Sequence, residues 1–248
     1  MTPGVQLLIA KNGSVIYNKS YGHHTYNKKI SVENEDIYDL ASITKILVSL
    51  PLIIREIELK SLTFDSSLSS FFPKINLFEK RNIKLKEMLS HYSRLTPWIP
   101  FYKETLDSVT NMQLDSYYSN KKTSDFNIEV REGLYMQLWD DIIFDKIIES
   151  ELLESKEYKY SDLPYYLIKK HLEDKYGKSL DKLIRDYIFS KNGMLSLNFN
   201  PYKTIDLNKI VPSEIDDYFR LGELRGYVHD MGAAMQGGIG GHAGLFGN

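Results

Sequence analysis

Two runs of strand-forming residues flank the dipeptide Asn12-Gly13 near the start of the chain. Branched and aromatic residues dominate both runs, VQLLIA before the dipeptide and SVIYNKSY after it, and such residues favour β-strands. Asn-Gly tolerates the positive φ angles of a type I′ turn, whose twist matches that of two antiparallel strands. The sequence therefore predicts a hairpin with strands at roughly 5–10 and 14–21, so the fold must contain an antiparallel sheet.

The middle of the chain has the apolar spacing of helices. Apolar residues three and four positions apart in RNIKLKEMLSHYS and LWDDIIFDKIIES predict short amphipathic helices. The segment LPYYLIKKHLEDKYGKSLDKLIRDYIF predicts two helices separated at Gly177, and an apolar stretch predicts another helix from about Ala41 to Leu59. Pro51 is expected to kink or break that last helix, because proline lacks the N–H that a helix interior needs.

These elements predict a single α+β domain over residues 1–248, in which an antiparallel sheet is flanked by helices and carries a large helical insertion. The sheet-side lobe is expected at 1–59 and about 205–248, and the mainly helical lobe at about 60–204. The last twenty residues are rich in glycine, which predicts a tight loop where backbone approaches another group closely.

Composition excludes several classes of partner and site. The net charge is −2, with 31 basic and 33 acidic residues mixed along the chain, so we expect no nucleic-acid partner. The absence of cysteine excludes disulfides and thiolate chemistry, and the six histidines lack metal-ligand spacing, so no metal or cofactor is expected. The longest apolar run, ILVSLPLII, is shorter than the about 20 residues of a membrane span, so we expect neither a membrane span nor a signal peptide before the first strand.

Ser42 and Lys45 begin the apolar helix predicted after the hairpin. Residues three apart lie on one face of a helix, so the hydroxyl and the amine can come within hydrogen-bond distance. A serine becomes a nucleophile when a neighbouring base takes its proton, and a lysine among apolar neighbours can act as that base. The alternative is a surface lysine on an ordinary buried helix.

The Ser-x-x-Lys tetrad is weak evidence by itself, because it also occurs at Ser119 and Ser179. Those two copies lie in strongly polar surroundings, where a lysine stays solvated and protonated. The copy at Ser42 alone opens an apolar helix, and the context favours it as the reactive one.

Several blocks of the sequence together resemble the serine β-lactamase-related hydrolases, the superfamily of class C β-lactamases, DD-peptidases and related esterases. The blocks follow one another in the order of that superfamily: YDLASITKIL, LKEMLSHYSRLTPWIPFYKET, YKYSDLPYYLIKKHLEDKYGKSLDKLIRDYIFSKNGM and RGYVHDMGAAMQGGIGGHAGLFGN. The resemblance is greatest to the branch sometimes fused to bacterial β-N-acetylglucosaminidases. It implies a β-lactamase/transpeptidase-like fold, a possible fused glycoside hydrolase domain in the parent protein, and a periplasmic or other extracytoplasmic location.

The resemblance implies that Ser42 is the nucleophile and Lys45 its proton acceptor. The second family motif, Tyr-x-Asn, has two candidates here: Tyr118-Ser119-Asn120, which matches literally, and Tyr160-Ser161-Asp162, which precedes the family's amphipathic helix. The helix context favours Tyr160, whose oxygen would then move the proton between Ser42 and the leaving group.

Three residues depart from the family pattern. Asp162 is a carboxylate where an amide is common, and an anion beside Lys45 favours the protonated amine. We therefore expect Lys45 to be a poorer base and Tyr160 to carry more of the proton transfer. Arg94 and Pro164 stand where glycine is more usual, which affects the geometry of two loops.

The third family motif, Lys or His followed by Ser or Thr and then Gly, is imitated by His242-Ala243-Gly244. The surrounding block GGHAGLFGN resembles an earlier segment of the family, so we expect the true motif and the last sheet strands beyond Asn248. In that case the domain is truncated, and one oxyanion donor, the Ser42 N–H, is present while the second is not.

Aromatic and polar residues elsewhere are candidates for the walls of the substrate cleft. The segment TPWIPFYKE, with Trp98 and Tyr102, is either a packed loop or a wall of the cleft. His229-Asp230, His242 and Gly244 either contact substrate or are ordinary loop residues.

The sequence thus predicts a serine hydrolase that forms an acyl-enzyme on an ester, amide or β-lactam bond of a small or cell-wall-derived substrate. The alternative is a catalytically impaired accessory domain with the same fold that binds a peptidoglycan fragment. Glycosidase chemistry is not expected, because convincing paired carboxylates are missing.

Overall fold

The computed structural model describes residues 2–74 and 76–248. Short strands and helices alternate along this part of the chain. The strands are β1 (Gly4–Lys11), β2 (Ser14–Gly22), β3 (Tyr38–Asp39), β4 (Tyr118–Ser119), β5 (Ile128–Arg131), β6 (Leu134–Met136), β7 (Asn198–Phe199), β8 (Glu214–Asp216), β9 (Gly222–Leu224) and β10 (Leu245–Gly247). The α-helices are α1 (Leu50–Glu58), α2 (Leu68–Phe71), α3 (Leu85–Leu89), α4 (Asp140–Glu149), α5 (Leu163–Tyr176), α6 (Leu180–Ile184) and α7 (Met231–Met235).

The predicted N-terminal hairpin is confirmed. β1 pairs antiparallel with β2, from Gly4 opposite Gly22 to Lys11 opposite Ser14, with one register shift after Ile9. Asn12 and Gly13 both have positive φ, 53° and 78°, as the type I′ turn requires.

The other strands form small antiparallel sheets in place of one continuous sheet. β10 lies between β3 and β7, β6 lies between β4 and β5, and β8 pairs with β9. The predicted mixture of helices and antiparallel strands is confirmed. The strands within the region predicted to be helical, β4 to β7, are two to four residues long, which is too short for an alternating pattern to reveal them.

The helix predicted from about Ala41 to Leu59 has two parts. Residues Lys45–Ser49 form a wide π-helical turn, in which the Leu50 N–H donates to the Lys45 carbonyl five residues back. α1 follows, with Pro51 in its first turn. Proline is tolerated there because the first N–H groups of a helix have no intrahelical acceptor. In place of the predicted kink or break, the segment changes from π-helical to α-helical hydrogen bonding just before Pro51.

α5 lies at the centre of the fold and carries the residues just before it into the candidate site. It packs against the π-helical turn, α3, α4 and α6. It ends at Gly177, whose φ of 61° is left-handed, and α6 begins three residues later, so the predicted break is confirmed. The α5 side chains that pack in the hydrophobic core are fully or almost fully buried: Leu163, Tyr166, Leu167, Ile168 and Leu172. No helix among the described residues is long and apolar enough to cross a bilayer.

A buried carboxylate joins α1 to the end of α5. Glu56, 1% exposed, accepts hydrogen bonds from Ser61, Lys175 and Tyr176. Burial by itself raises the pKa of a carboxyl, but these donors outweigh it and leave the pKa of Glu56 below its usual value. The ionised carboxylate therefore stabilises the folded chain.

Replacing Glu56 by glutamine is expected to lower the free energy of unfolding at pH 7 by roughly 1.5–3 kcal/mol, the usual contribution of a hydrogen bond to a charged group. Because the folded pKa is depressed, the contribution of Glu56 is present above its ordinary pKa and is lost as the pH falls through the folded value. Urea unfolding of both proteins between pH 7 and pH 3 measures this. A difference that grows on acidification would contradict it.

Candidate active site

The Ser42 hydroxyl and the Lys45 amine are in contact. Ser42 is exposed at the start of the helical segment, and Lys45, one turn further on, is 4% exposed. Lys45 Nζ lies 2.7 Å from Ser42 Oγ. A buried amine thus reaches an accessible hydroxyl, which is the arrangement that proton transfer from a serine requires.

The remaining neighbours of Lys45 come from two distant segments. Its Nζ lies 2.7 Å from Asp162 Oδ1 and donates to the backbone carbonyl of His242 at 3.3 Å. The rings of Tyr160 and Tyr165 lie beside it, with centroids 5.0 and 5.5 Å from Nζ. The amine is therefore held in place by a carboxylate, a carbonyl and two aromatic rings.

The loop between α3 and residue 97 positions the segment that carries Tyr160 and Asp162. Ser161 is buried; its hydroxyl donates to the Thr96 carbonyl at 2.6 Å, and its N–H donates to His91 Nδ1 at 3.2 Å. The Asp162 N–H donates to the Pro97 carbonyl at 3.0 Å. Asp162 directly precedes α5, and this helix accommodates Pro164 in its first turn, where proline is favourable.

Tyr160 contacts the site through its ring. The ring centroid lies 4.4 Å from that of His91, and the side chain is 43% exposed. Within residues 2–74 and 76–248, no hydrogen bond joins the Tyr160 hydroxyl to Ser42 or Lys45. Burial, and then the charge of Lys45, lower the pKa of His91, so its imidazole is neutral and accepts the Ser161 N–H.

The two candidates for the second motif lie in different places. Tyr118 is buried in β4, where its hydroxyl bonds that of Thr105, and burial raises its pKa. Ser119 bonds the Lys121 carbonyl at 2.8 Å in a surface turn. The structure thus brings Tyr160 and Asp162, and neither Tyr118 nor Asn120, to Lys45.

His242 and Gly244, which the sequence left as either substrate contacts or ordinary loop residues, are both buried. His242 is 1% exposed; its Nε2 lies 2.8 Å from Asp230 Oδ1, and its ring stacks on Tyr166 with centroids 4.1 Å apart. This contact and the neighbouring N–H of Ala233 lower the pKa of Asp230 although burial opposes them. Gly244 is buried too, and a Cβ there would meet the Gly238 carbonyl at 2.4 Å. The part of His242 that reaches the site is its backbone carbonyl.

Trp98 and Tyr102 lie in the segment that follows Pro97, the residue whose carbonyl accepts the Asp162 N–H. Trp98 is 40% exposed, and its ring lies 6.4 Å from that of Tyr102. Tyr102 is buried against Tyr218 and Phe219, at 5.9 and 5.2 Å between centroids. Of the two, Trp98 is therefore the accessible one.

Two residues close to the reactive groups carried no assignment from the sequence. His91 packs on Tyr160 and holds Ser161. Asp39, in β3, accepts hydrogen bonds from the Ala41 N–H, next to Ser42, and from His229. The block YDLASITK contained the signal for Asp39, an acid three residues before the candidate nucleophile, but its partner is 190 residues away.

Comparison with known proteins supports the resemblance found in the sequence. Residues 1–210 match the family model described as Beta-lactamase. A protein of Escherichia coli (strain K12), provisionally named a D-alanyl-D-alanine carboxypeptidase, is 25% identical over 99% of this chain and 57% of its own length. The chain thus spans about half the length of the curated relatives that it matches.

Two solved structures share the fold. The octameric penicillin-binding protein homologue from Pyrococcus abyssi has a TM-score of 0.66 and 20% identity, over 99% of this chain and 50% of that one. The β-lactamase/D-alanine carboxypeptidase from Yersinia pestis, complexed with citrate, has a TM-score of 0.65 and 19% identity, over 99% and 60%. These confirm the predicted β-lactamase/transpeptidase-like fold. The chain belongs to the Beta-lactamase family.

Proposed function

We propose that this chain is a serine hydrolase in which Ser42 forms an acyl-enzyme with an ester, an amide or a β-lactam. One observation carries the proposal: the buried amine of Lys45 lies 2.7 Å from the exposed hydroxyl of Ser42. Membership of a family of hydrolases supports the same reaction class.

Acylation begins with transfer of the Ser42 proton to Lys45 as Oγ attacks the substrate carbonyl. The Ser42 N–H stands at the start of a helical segment, where backbone donors and the helix dipole stabilise a developing oxyanion. When the intermediate collapses, the bond to the leaving group breaks, and the leaving group takes the proton from Lys45, directly or through the Tyr160 hydroxyl. Water then hydrolyses the acyl bond and restores Ser42.

Asp162 fixes the position of the base. Its carboxylate lies 2.7 Å from Lys45 Nζ and holds the amine 2.7 Å from Ser42 Oγ. Tyr160 is exposed and its ring lies beside this amine, so its hydroxyl is the candidate proton relay: it gives its own proton to the leaving group and takes the one that Lys45 received from Ser42.

The relatives and the surroundings of the site support one substrate class. One relative is named as a D-alanyl-D-alanine carboxypeptidase, and a solved neighbour as a β-lactamase/D-alanine carboxypeptidase. Trp98 and Tyr160 are both partly exposed; Trp98 follows Pro97, whose carbonyl accepts from the Asp162 N–H, and Tyr160 stands two residues before Asp162. A small peptide or β-lactam derived from, or resembling, cell-wall material fits these features.

Labelling with a fluorescent penicillin and with a fluorophosphonate tests the proposal. We expect the unmodified chain to be labelled by at least one probe and Ser42→Ala by neither. Ser119→Ala and Ser179→Ala, which remove the other two Ser-x-x-Lys serines, are matched controls and should label normally. Equal labelling of the unmodified chain and Ser42→Ala would remove Ser42 from the nucleophile role.

The Lys45–Asp162 contact also favours a second function, binding of a peptidoglycan fragment without turnover, because the carboxylate competes with Ser42 for the amine. Titration of a muropeptide against Ser42→Ala separates the two functions. Tight binding by Ser42→Ala, together with no labelling of the unmodified chain, would support the second function over the first.

A further inference from the structure

The residue before the candidate nucleophile has a strained backbone. Ala41 has φ of 46°, in the left-handed region that residues with a Cβ rarely adopt. Such a conformation persists only where the surrounding contacts enforce it. Since Ala41 leads directly into Ser42, those contacts also fix where the Ser42 hydroxyl points.

Two hydrogen bonds hold Ala41 from opposite sides. Its N–H donates to Asp39 Oδ1 at 2.8 Å, and its carbonyl accepts from the Thr44 hydroxyl at 2.7 Å. The same hydroxyl accepts from the Leu245 N–H at 3.1 Å, which ties the turn to β10. The side chain of Asp39 is 4% exposed, so its carboxylate is a buried anchor for this turn.

His229 completes the coordination of Asp39. Its backbone N–H and its Nδ1 approach the same oxygen, Oδ2, at 2.9 and 3.0 Å. Arg220 holds the His229 carbonyl at 2.6 Å. The imidazole is 41% exposed at its outer side. One carboxylate therefore links the backbone beside Ser42 to a partly exposed histidine from the end of the chain.

The charges that face His229 favour its protonated form. The hydrogen bond to Asp39 raises the pKa of His229 above its usual value, burial opposes this, and the charges of Asp39, Asp230 and Glu214 add to the increase. The guanidinium of Arg220, which is bound to the His229 carbonyl, is the nearby cation on the other side. His229 therefore keeps its proton to a higher pH than an ordinary histidine does.

We propose that the Asp39–His229 pair is a positioning device for the nucleophile: it fixes the turn at Ala41 so that the Ser42 hydroxyl stays in contact with Lys45. The expected effect on the acylation rate rests on the proposed function. The expected effect on the turn at Ala41 rests only on the contacts of Asp39. Asp39 and His229 are positioning residues, because among the described residues they contact the Ala41 backbone and each other, and not the Ser42 hydroxyl or the Lys45 amine.

Loss of the proton from His229 weakens the pair. The pKa of His229 in the folded chain is raised. The full charge-assisted contact is therefore present below the ordinary pKa of histidine and is lost as the pH rises through the pKa of His229 in the folded chain. Acylation of Ser42 should therefore decline severalfold across that range. A residue that donates to Asp39 without titrating should remove this decline.

The experiment compares His229→Ala with His229→Asn. The asparagine amide can place a donor where Nδ1 stands, whereas alanine removes the donor. We expect the acylation rate of His229→Ala with p-nitrophenyl acetate to fall by about 10- to 100-fold, as for loss of a hydrogen bond to a charged group. His229→Asn should recover most of the rate and show a flat profile where the unmodified chain declines. His23→Gln, at the hairpin, is the control for removal of a histidine.

Crystal structures of both variants keep the test independent of activity. In folded His229→Ala, the Ser42 Oγ–Lys45 Nζ contact should be lost or the turn at Ala41 should change. Unchanged acylation and an unchanged contact in His229→Ala would overturn the proposal while leaving Ser42 as the nucleophile. If the unmodified chain is never acylated, the proposed function fails, and the crystal structure of His229→Ala alone decides the positioning role.

Discussion

Replacing Lys45 by methionine is expected to reduce the acylation rate of Ser42 by about 10²–10⁴-fold, the usual contribution of a positioned general base. Methionine has a similar length and fills the apolar surroundings, but it cannot accept the proton. The amine is the group that lies 2.7 Å from Ser42 Oγ, and the Tyr160 hydroxyl has no hydrogen bond to Ser42 in the described residues that would replace it. Pre-steady-state release of p-nitrophenol from an ester measures the rate.

Lys182→Met is the matched control, because it removes the lysine of another Ser-x-x-Lys tetrad at an exposed position. It should acylate at the rate of the unmodified chain. A Lys45→Met protein that folds normally and acylates within a few-fold of that rate would show that another group takes the Ser42 proton.

Replacing Asp216 by alanine is expected to destabilise the folded chain by about 3–5 kcal/mol, the cost of leaving one member of a buried ion pair without its partner. The side chains of Asp216 and Arg220 are both 0% exposed, with Asp216 Oδ2 2.8 Å from Arg220 Nε. Burial by itself raises the pKa of Asp216, but hydrogen bonds and charge from Arg220 outweigh it and lower the pKa. The Arg220 guanidinium also donates to the carbonyls of Val228 and His229. Removing Asp216 is therefore expected to destabilise the segment that contacts Asp39 as well.

Urea unfolding measures this effect, and Asp65→Ala provides the control. Asp65 pairs with Lys86 at 2.6 Å, but both side chains are more than half exposed, so solvent screens the pair and its loss should barely change the stability. If Asp216→Ala were no more destabilising than Asp65→Ala, the Asp216–Arg220 pair would not anchor this region.

Local signals in the sequence accounted for the elements with strong patterns. Asn12-Gly13 identified the hairpin, and Gly177 marked the end of α5, because these residues readily adopt the positive φ that a tight turn or a helix end requires. The Ser42–Lys45 contact was also predictable from local sequence, because the two residues are one helical turn apart and the helix sets their distance.

Contacts between distant segments were not predictable from one sequence. The approach of the His242 carbonyl to Lys45 and the pairing of Asp39 with His229 depend on how β10 packs beside β3. The side chain of His242 was one candidate for contact with substrate, but Asp230 and Tyr166 hold it inside the fold. Very short strands such as β4 and β7 are defined by their partners, so their own residues carry little signal.

Peptide mapping of the covalent adduct by mass spectrometry is the most direct test of the account, which depends on a serine made reactive by the amine one turn away. After brief exposure of the whole chain to an acylating ester or a penicillin, the added mass should lie on Ser42 and should be absent when Lys45 is methionine. An adduct on a different residue, or an undiminished one on Ser42 in Lys45→Met, would contradict the account.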